Sequence, residues 1–197
     1  MDDLERALRV RAKEALRGRM RGIRRVLPVG ACAARSHALC ERVRALPELA
    51  AARVIVGYVA VRKEADPAAV LDAARRAHQI TGLVRVVPDS ELALLRHDQD
   101  AALVENEYGI LEPGPDAPLI PEADVNVILV PALAADADGN RIGSGRGYYD
   151  RLLPRLPRAF KIALVYDFQL LAEAPVLEHD APVDCVVTDE RVLRKPG

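Results

Sequence analysis

Arg141-Ile142-Gly143-Ser144-Gly145-Arg146-Gly147-Tyr148-Tyr149-Asp150-Arg151 is the stretch around which the 197-residue chain is organised. Glycines at alternate positions leave backbone N–H groups uncovered and free to take positive φ, so the segment can close around an anion. Upstream, Asn126-Val127-Ile128-Leu129-Val130 is a short apolar run ended by Pro131, as expected of a buried strand. Downstream, Tyr149, Leu152 and Leu153 share one helical face before Pro154. Strand, glycine-rich turn and helix in that order set a positive helix end and open amides where a phosphate would sit. The stretch has no Gly-Lys-Ser/Thr ending of a P-loop, and Tyr148 stands where a dinucleotide fingerprint needs glycine.

Working outward, Arg53–Val61, Leu83–Pro88, Phe160–Tyr166 and Pro182–Thr188 read as further strands, with Pro182–Thr188 the last. Leu4, Leu8, Ala12, Ala15, Leu16, Met20 and Ile23 recur at three and four, which predicts an amphipathic helix over Leu4–Leu27, ended by Pro28 and Gly30. A second helix is expected over Ala31–Leu46 with Pro47 as terminator. Asp66-Pro67 opens a third that runs to about His78 or Ile80, and a short one is expected around Gln169–Ala172. Ser90 to Glu107 suits either a short strand or a helical turn at Leu92, Leu94 and Leu95, then an exposed loop at His97, Asp98 and Asp100. Strand, helix, strand implies a right-handed crossover in a parallel sheet. The reading is one α/β domain over residues 1–197, with residues 1–27 forming its amino-terminal helix.

Composition narrows the function classes. With 50% hydrophobic and 29% charged residues the chain can bury a substantial core. A net charge of −1 calls for neither nucleic acid nor an anionic membrane, so any anion site is local. Residues 1–25 nevertheless hold nine Lys or Arg against four Asp or Glu. No signal-peptide core follows Met1 and no apolar run approaches a membrane span, so a cytoplasmic protein is expected. Cys32, Cys40 and Cys185 show no pairing or zinc spacing and read as buried thiols. His37, His78, His97 and His179 fall in no metal-ligand spacing and read as structural, although His179 precedes the last strand and could approach the site. No serine sits in a nucleophile-elbow context.

Individual residues point to chemistry. Lys13 and Arg17, four apart on a helix, repel unless an anion or carboxylate lies between them; alone they make a solvated basic face. Glu64 follows the strand Arg53–Val61 at its carboxyl end, where open α/β sheets hold ligands, and reads otherwise as a loop carboxylate beside Lys63. Asp184 interrupts an apolar run and needs a cation, a donor or solvent; a strand-start aspartate bonding nearby backbone meets the same need.

Asp138 to Arg151, reading Asp-Gly-Asn-Arg-Ile-Gly-x-Gly-x-Gly-Tyr-Tyr-Asp-Arg, resembles the signature of the 5-formyltetrahydrofolate cyclo-ligase (5,10-methenyltetrahydrofolate synthetase) family. Lys13-x-x-Leu16-Arg17 looks like the amino-terminal Lys-x-x-Leu-Arg of that family. Tyr108-Gly109-Ile110-Leu111-Glu112-Pro113 resembles its Gly-Ile-x-Glu-Pro segment and reads equally as a structural turn before the extended connection through Pro115, Pro118 and Pro121. The resemblance implies a three-layer α/β/α fold with a mostly parallel open sheet, similar to the NagB/RpiA/CoA-transferase-like fold. It implies ATP- and Mg²⁺-dependent, irreversible cyclisation of 5-formyltetrahydrofolate to 5,10-methenyltetrahydrofolate through a phosphorylated formyl group. Lys13, Arg17 and Arg141 would then hold phosphates, with Arg146 assisting transfer, and the amides of Gly143, Gly145 and Gly147 would cradle them. Ile142, Ser144, Tyr148 and Tyr149 would complete the ATP-binding run, with Tyr149 packing on nucleotide or core. Val59, Glu64, Ser144, Gly145, Arg146, Gly147 and Tyr148 would line the folate site, and Asp150 with Asp184 would bind Mg²⁺. Ser144 and Arg146 stand at positions that vary in the family. The enzyme would act as a monomer or homodimer. Two alternatives stay open: a non-catalytic folate- or nucleotide-binding relative, and another enzyme on a related scaffold, such as a sugar-phosphate isomerase.

Overall fold

The computed structural model describes residues 2–87, 91–98, 101–106 and 109–196. Helices α1 (Asp3–Val26), α2 (Val29–Arg44) and α3 (Pro47–Ala51) lead into strand β1 (Val54–Gly57) and helix α4 (Ala68–Arg76). Strands β2 (Ile80–Val87), β3 (Glu91–Arg96), β4 (Leu103–Glu105), β5 (Leu111–Pro113) and β6 (Val127–Pro131) follow. A small hairpin, β7 (Ala134–Ala135) with β8 (Arg141–Ile142), precedes helix α5 (Tyr148–Leu152). The chain closes with β9 (Phe160–Leu164), β10 (Cys185–Val187) and β11 (Val192–Arg194). Among the described residues no helix is long and apolar enough to cross a membrane.

Seven strands form one sheet in the order β11-β10-β9-β6-β1-β2-β3. The five inner strands are parallel and both edge strands are antiparallel. Because side chains alternate across a strand, one run feeds two cores. Val127 and Leu129 join Leu39, Val43 and Val70 on the face covered by α2 and α4, whereas Ile128 and Val130 join Leu152, Leu153 and Leu156 on the other. The second helical layer is thin, since α5 has five residues and passes into a 3-10 turn over Leu153–Arg155. From β1 the chain crosses to β2 on one side, and from β6 to β9 on the other. The order therefore reverses between β1 and β6, and a crevice opens at their carboxyl ends.

Several expectations are corrected. Gly30 lies inside α2, because Pro28 caps that helix, and Pro47 opens α3 instead of only ending α2. The first strand stops at Gly57, and the chain through Val59 to Glu64 is a loop in which Arg62 and Lys63 take positive φ. Helix α4 ends at Arg76, earlier than read, in a Schellman turn: His78 takes φ 62°, and Gln79 N donates to Ala74 O at 3.0 Å. Residues 169–172 do not form a helix; a 3-10 turn over Asp167–Gln169 stands there. Cys185–Val187 is not the last strand, since β11 pairs with it. The ambiguous segment proves to be β3 and β4 where it is described. Pro88, Ser90, Asp100, Glu107 and Tyr108 lie outside the described residues.

Candidate active site

Helix α1 lies across the crevice. Met20 packs with Leu133, Ala134, Ile142 and Ala174, which docks the helix on the β7–β8 hairpin. Its polar face then reaches the glycine-rich turn. Arg17 Nε donates to Gly143 O at 3.0 Å and Arg21 Nη2 to Ser144 O at 2.7 Å. Gly147 caps α5 in the left-handed region at φ 68°, and Gly145 takes φ 103° beneath the Arg17 guanidinium, so both bends need glycine. With only five residues behind it, the α5 amino terminus contributes less dipole than the sequence suggested, and side-chain cations carry most of the positive charge.

Two cavities meet here. The smaller, about 170 Å³, is lined by Lys13, Arg17, Arg141, Asp150, His179 and Asp180 together with Gly143, Gly145 and Gly147. The larger, about 860 Å³, is mostly apolar along Val59, Val84, Val86, Leu92, Ile110 and Leu111. Glu64, Pro131, Leu133, Ser144, Tyr148 and Tyr149 line both, so the two lie side by side at a shared wall.

The small cavity holds two buried ion pairs. Lys13 Nζ binds both carboxylate oxygens of Asp180, at 2.6 and 2.5 Å, and Arg141 Nη2 binds Asp150 Oδ1 at 2.8 Å. Asp180 Oδ2 also accepts from Leu177 N at 2.6 Å, and Asp150 Oδ1 from Ala181 N at 3.2 Å. Arg141 Nε is buried and finds no hydrogen-bond partner among the described residues, while its guanidinium stands 6.0 Å from the Tyr149 ring centroid. A buried guanidinium edge of this kind can receive an oxygen acceptor in the cavity.

At the shared wall, Glu64 faces Arg24 Nη2 at 3.6 Å and accepts from Val61 N at 3.2 Å. Burial raises its pKa, and the Arg24 charge offsets only part of that. The Tyr149 hydroxyl is buried without a partner among the described residues, and desolvation holds the phenol neutral by raising its pKa well above the ordinary value.

Most sequence-selected residues thus converge, and some do not. Ile142 points into the core with Met20 and Leu133 and lines neither cavity. Arg146 is exposed and lines the large cavity only, with Nη1 3.4 Å from the Tyr148 hydroxyl. Val59 also lines the large cavity only. Asp184, expected beside Asp150, is not brought into its cavity. It sits at the amino-terminal edge of β10, accepts from Lys161 N at 2.8 Å and lines neither cavity. The acid that meets Asp150 in the small cavity is Asp180, which the sequence reading passed over in favour of the Val-Asp context. Arg24 was missed too, although 13, 17, 21 and 24 already mark one cationic helix face. Among the described residues no group of three or more acidic, histidine or cysteine side chains forms a ready-made metal cage.

The chain is similar to known proteins over most of its length. A model of the 5-formyltetrahydrofolate cyclo-ligase family matches residues 9–189. The 5-formyltetrahydrofolate cyclo-ligase of Mycolicibacterium smegmatis is 46% identical over 93 residues, covering 45% of this chain and 47% of that protein. That of Escherichia coli K12 is 29% identical over 156 residues, covering 77% and 86%. Among solved structures, the 5,10-methenyltetrahydrofolate synthetase of Aquifex aeolicus superimposes with a TM-score of 0.83 at 30% identity, covering 94% of this chain and 93% of that one. The Mycoplasma pneumoniae synthetase shares the fold, with a TM-score of 0.74 at 20% identity over 90% and 98%. With the match running from α1 through β10 and the signature lining the crevice, the chain belongs to the 5-formyltetrahydrofolate cyclo-ligase family.

Proposed function

We propose that this protein converts 5-formyltetrahydrofolate to 5,10-methenyltetrahydrofolate, with ATP and Mg²⁺, releasing ADP and phosphate. The observation that carries the reading is the shared wall between a small cavity holding three cations, suited to phosphates, and a large apolar one within the usual range for a ligand of folate size. A formamide carbonyl is a poor electrophile. Phosphorylating its oxygen makes the formyl carbon reactive toward N10, and phosphate then leaves. Both reacting parts must therefore lie against one wall.

In this reading Lys13, Arg17 and Arg141 hold the phosphates, and the Arg141 Nε edge gains its acceptor. Such preorganised cations stabilise the charge that spreads over the transferring oxygens. Arg146 approaches from the large-cavity side. Glu64 orients the folate, and Val59 and Tyr148 flank it. Asp150 and Asp180 suit Mg²⁺, which takes one or two carboxylates plus phosphate oxygens and keeps several waters. Bound there, the ion would neutralise phosphate charge. Two of the cations already face carboxylates, Lys13 with Asp180 and Arg141 with Asp150. Phosphates draw on the cations and leave both carboxylates available.

The test is spectrophotometric. Purified protein with 5-formyltetrahydrofolate and Mg²⁺ should develop methenyltetrahydrofolate absorbance only when ATP is added. No product from folded protein and verified folate would overturn the reading.

A further inference from the structure

Strands β4 and β5 form a two-stranded ribbon outside the seven-stranded sheet. A ribbon of three residue pairs does not hold its place in water unaided, so something must dock it. Apolar burial, at Leu103 and Pro113, does only part of this. Leu103 packs on the core, but Val104 and Leu111 are left 40% and 45% exposed. The rest of the docking is polar and centres on one side chain. Glu112, only 4% exposed, receives Val86 N at 3.2 Å and Asn106 Nδ2 at 2.9 Å on Oε2, and faces Arg85 Nε at 3.3 Å through Oε1. Arg85 in turn donates to Pro113 O at 2.7 Å. The network therefore ties both strands of the ribbon to the carboxyl-terminal half of β2.

What it ties down matters. Ile110 and Leu111 at the ribbon, Val84 and Val86 on β2, and Glu112 itself all belong to the large cavity's lining. The small cavity shares none of these residues. We infer that Glu112 is a positioning residue for the folate substrate: it sets the spacing of the apolar walls and thereby governs folate affinity, while leaving the phosphate side untouched. The inference rests on the proposed folate reading of the large cavity.

Glu112→Gln keeps one acceptor oxygen and loses the charge facing Arg85; Glu112→Ala removes the clasp and leaves three donors to water. Unmatched donors of this kind correspond to roughly a 10-fold or larger loss. The expected result is a KM for 5-formyltetrahydrofolate raised about 10-fold or more in the alanine variant and less in the glutamine variant. The KM for ATP and kcat at saturating folate should stay within about 2-fold, as for a lost contact that acts on binding alone. Hydrogen exchange should quicken at Ile110 and Leu111 and stay unchanged in β6. An unchanged folate KM in the alanine variant would overturn the inference. Equal losses toward folate and ATP would also overturn it, by showing general destabilisation. If the wild-type protein makes no methenyl product, the functional reading fails separately, and faster exchange confined to the ribbon still decides whether Glu112 is its anchor.

Discussion

Asp180→Asn tests the ion-pair logic of the small cavity. Asp180 is the counter-charge of Lys13, whose side chain is 4% exposed, and its own side chain is 12% exposed. Removing one partner of a buried pair costs about 3–5 kcal/mol. Asparagine keeps an acceptor oxygen for Leu177 N or Lys13, and the cavity can admit water beside the ammonium, so about 2–3 kcal/mol is expected here. In a domain of this size each kcal/mol shifts Tm by roughly 2–4 °C, which predicts a fall of about 5–10 °C in thermal denaturation followed by circular dichroism. The second arm adds Mg²⁺-free ATP. In the wild-type protein a phosphate must compete with Asp180 for Lys13, whereas in the variant it meets an unpaired cation. ATP should therefore raise Tm more in the variant than in the wild type. A fall of less than about 2 °C, or the same ATP-induced rise in both proteins, would refute the pairing argument.

Four further outcomes follow from the same geometry. Asp150→Asn should abolish Mg²⁺-dependent turnover while Asp184→Asn leaves it largely intact, because Asp184 is engaged with Lys161 at the far edge of the sheet; a shared loss would return Asp184 to the metal site. Tyr149→Phe removes a buried hydroxyl that finds no partner among the described residues, a group that costs about 1–3 kcal/mol to desolvate, so its Tm should hold or rise; a clear fall would mean the hydroxyl is bonded. Glu64 is held by Arg24 and Val61 N, with Arg62, Tyr58 and Tyr149 nearby, and burial raises its pKa from the ordinary glutamate value. As a group bound more tightly to its proton in the folded state, it favours folding below its unfolded pKa, and that contribution is lost as pH rises through the folded value. Folate binding that needs the ionised form should weaken as pH falls, starting at a higher pH than for an ordinary glutamate, and the dependence should vanish in Glu64→Gln; an identical profile in both proteins would sink the assignment. Gly147→Ala forces a left-handed φ of 68° on a residue with Cβ, a strain of about 1–2 kcal/mol, so Tm should drop by a few degrees with turnover falling further; an unchanged Tm would show that the turn relaxes.

Much of the architecture was written in local pattern. Apolar runs such as Val127–Val130 specify buried strands because only a strand covered on both faces can use apolar side chains at every position, and the cores divide them by alternation. Glu64 stood out because it follows such a strand, and the turn from Arg141 to Asp150 because its glycines sit where positive φ is required at Gly145 and Gly147. Element ends were less legible: Pro28 and Pro47 open helices as readily as they close them, and the sequence does not say which. The choice between Asp180 and Asp184 was not legible at all. They are four residues apart in an irregular segment, yet one faces the crevice and the other sits at the amino-terminal edge of the sheet. Lys13 and Asp180 are 167 residues apart, and Arg24 meets Glu64 only because Met20 docks α1 over the β7–β8 hairpin. Periodicity is a property of neighbouring residues and tells which face a side chain takes. Which charges meet across the crevice depends on the path of the chain between distant strands, and that path is settled only when both cores pack at once.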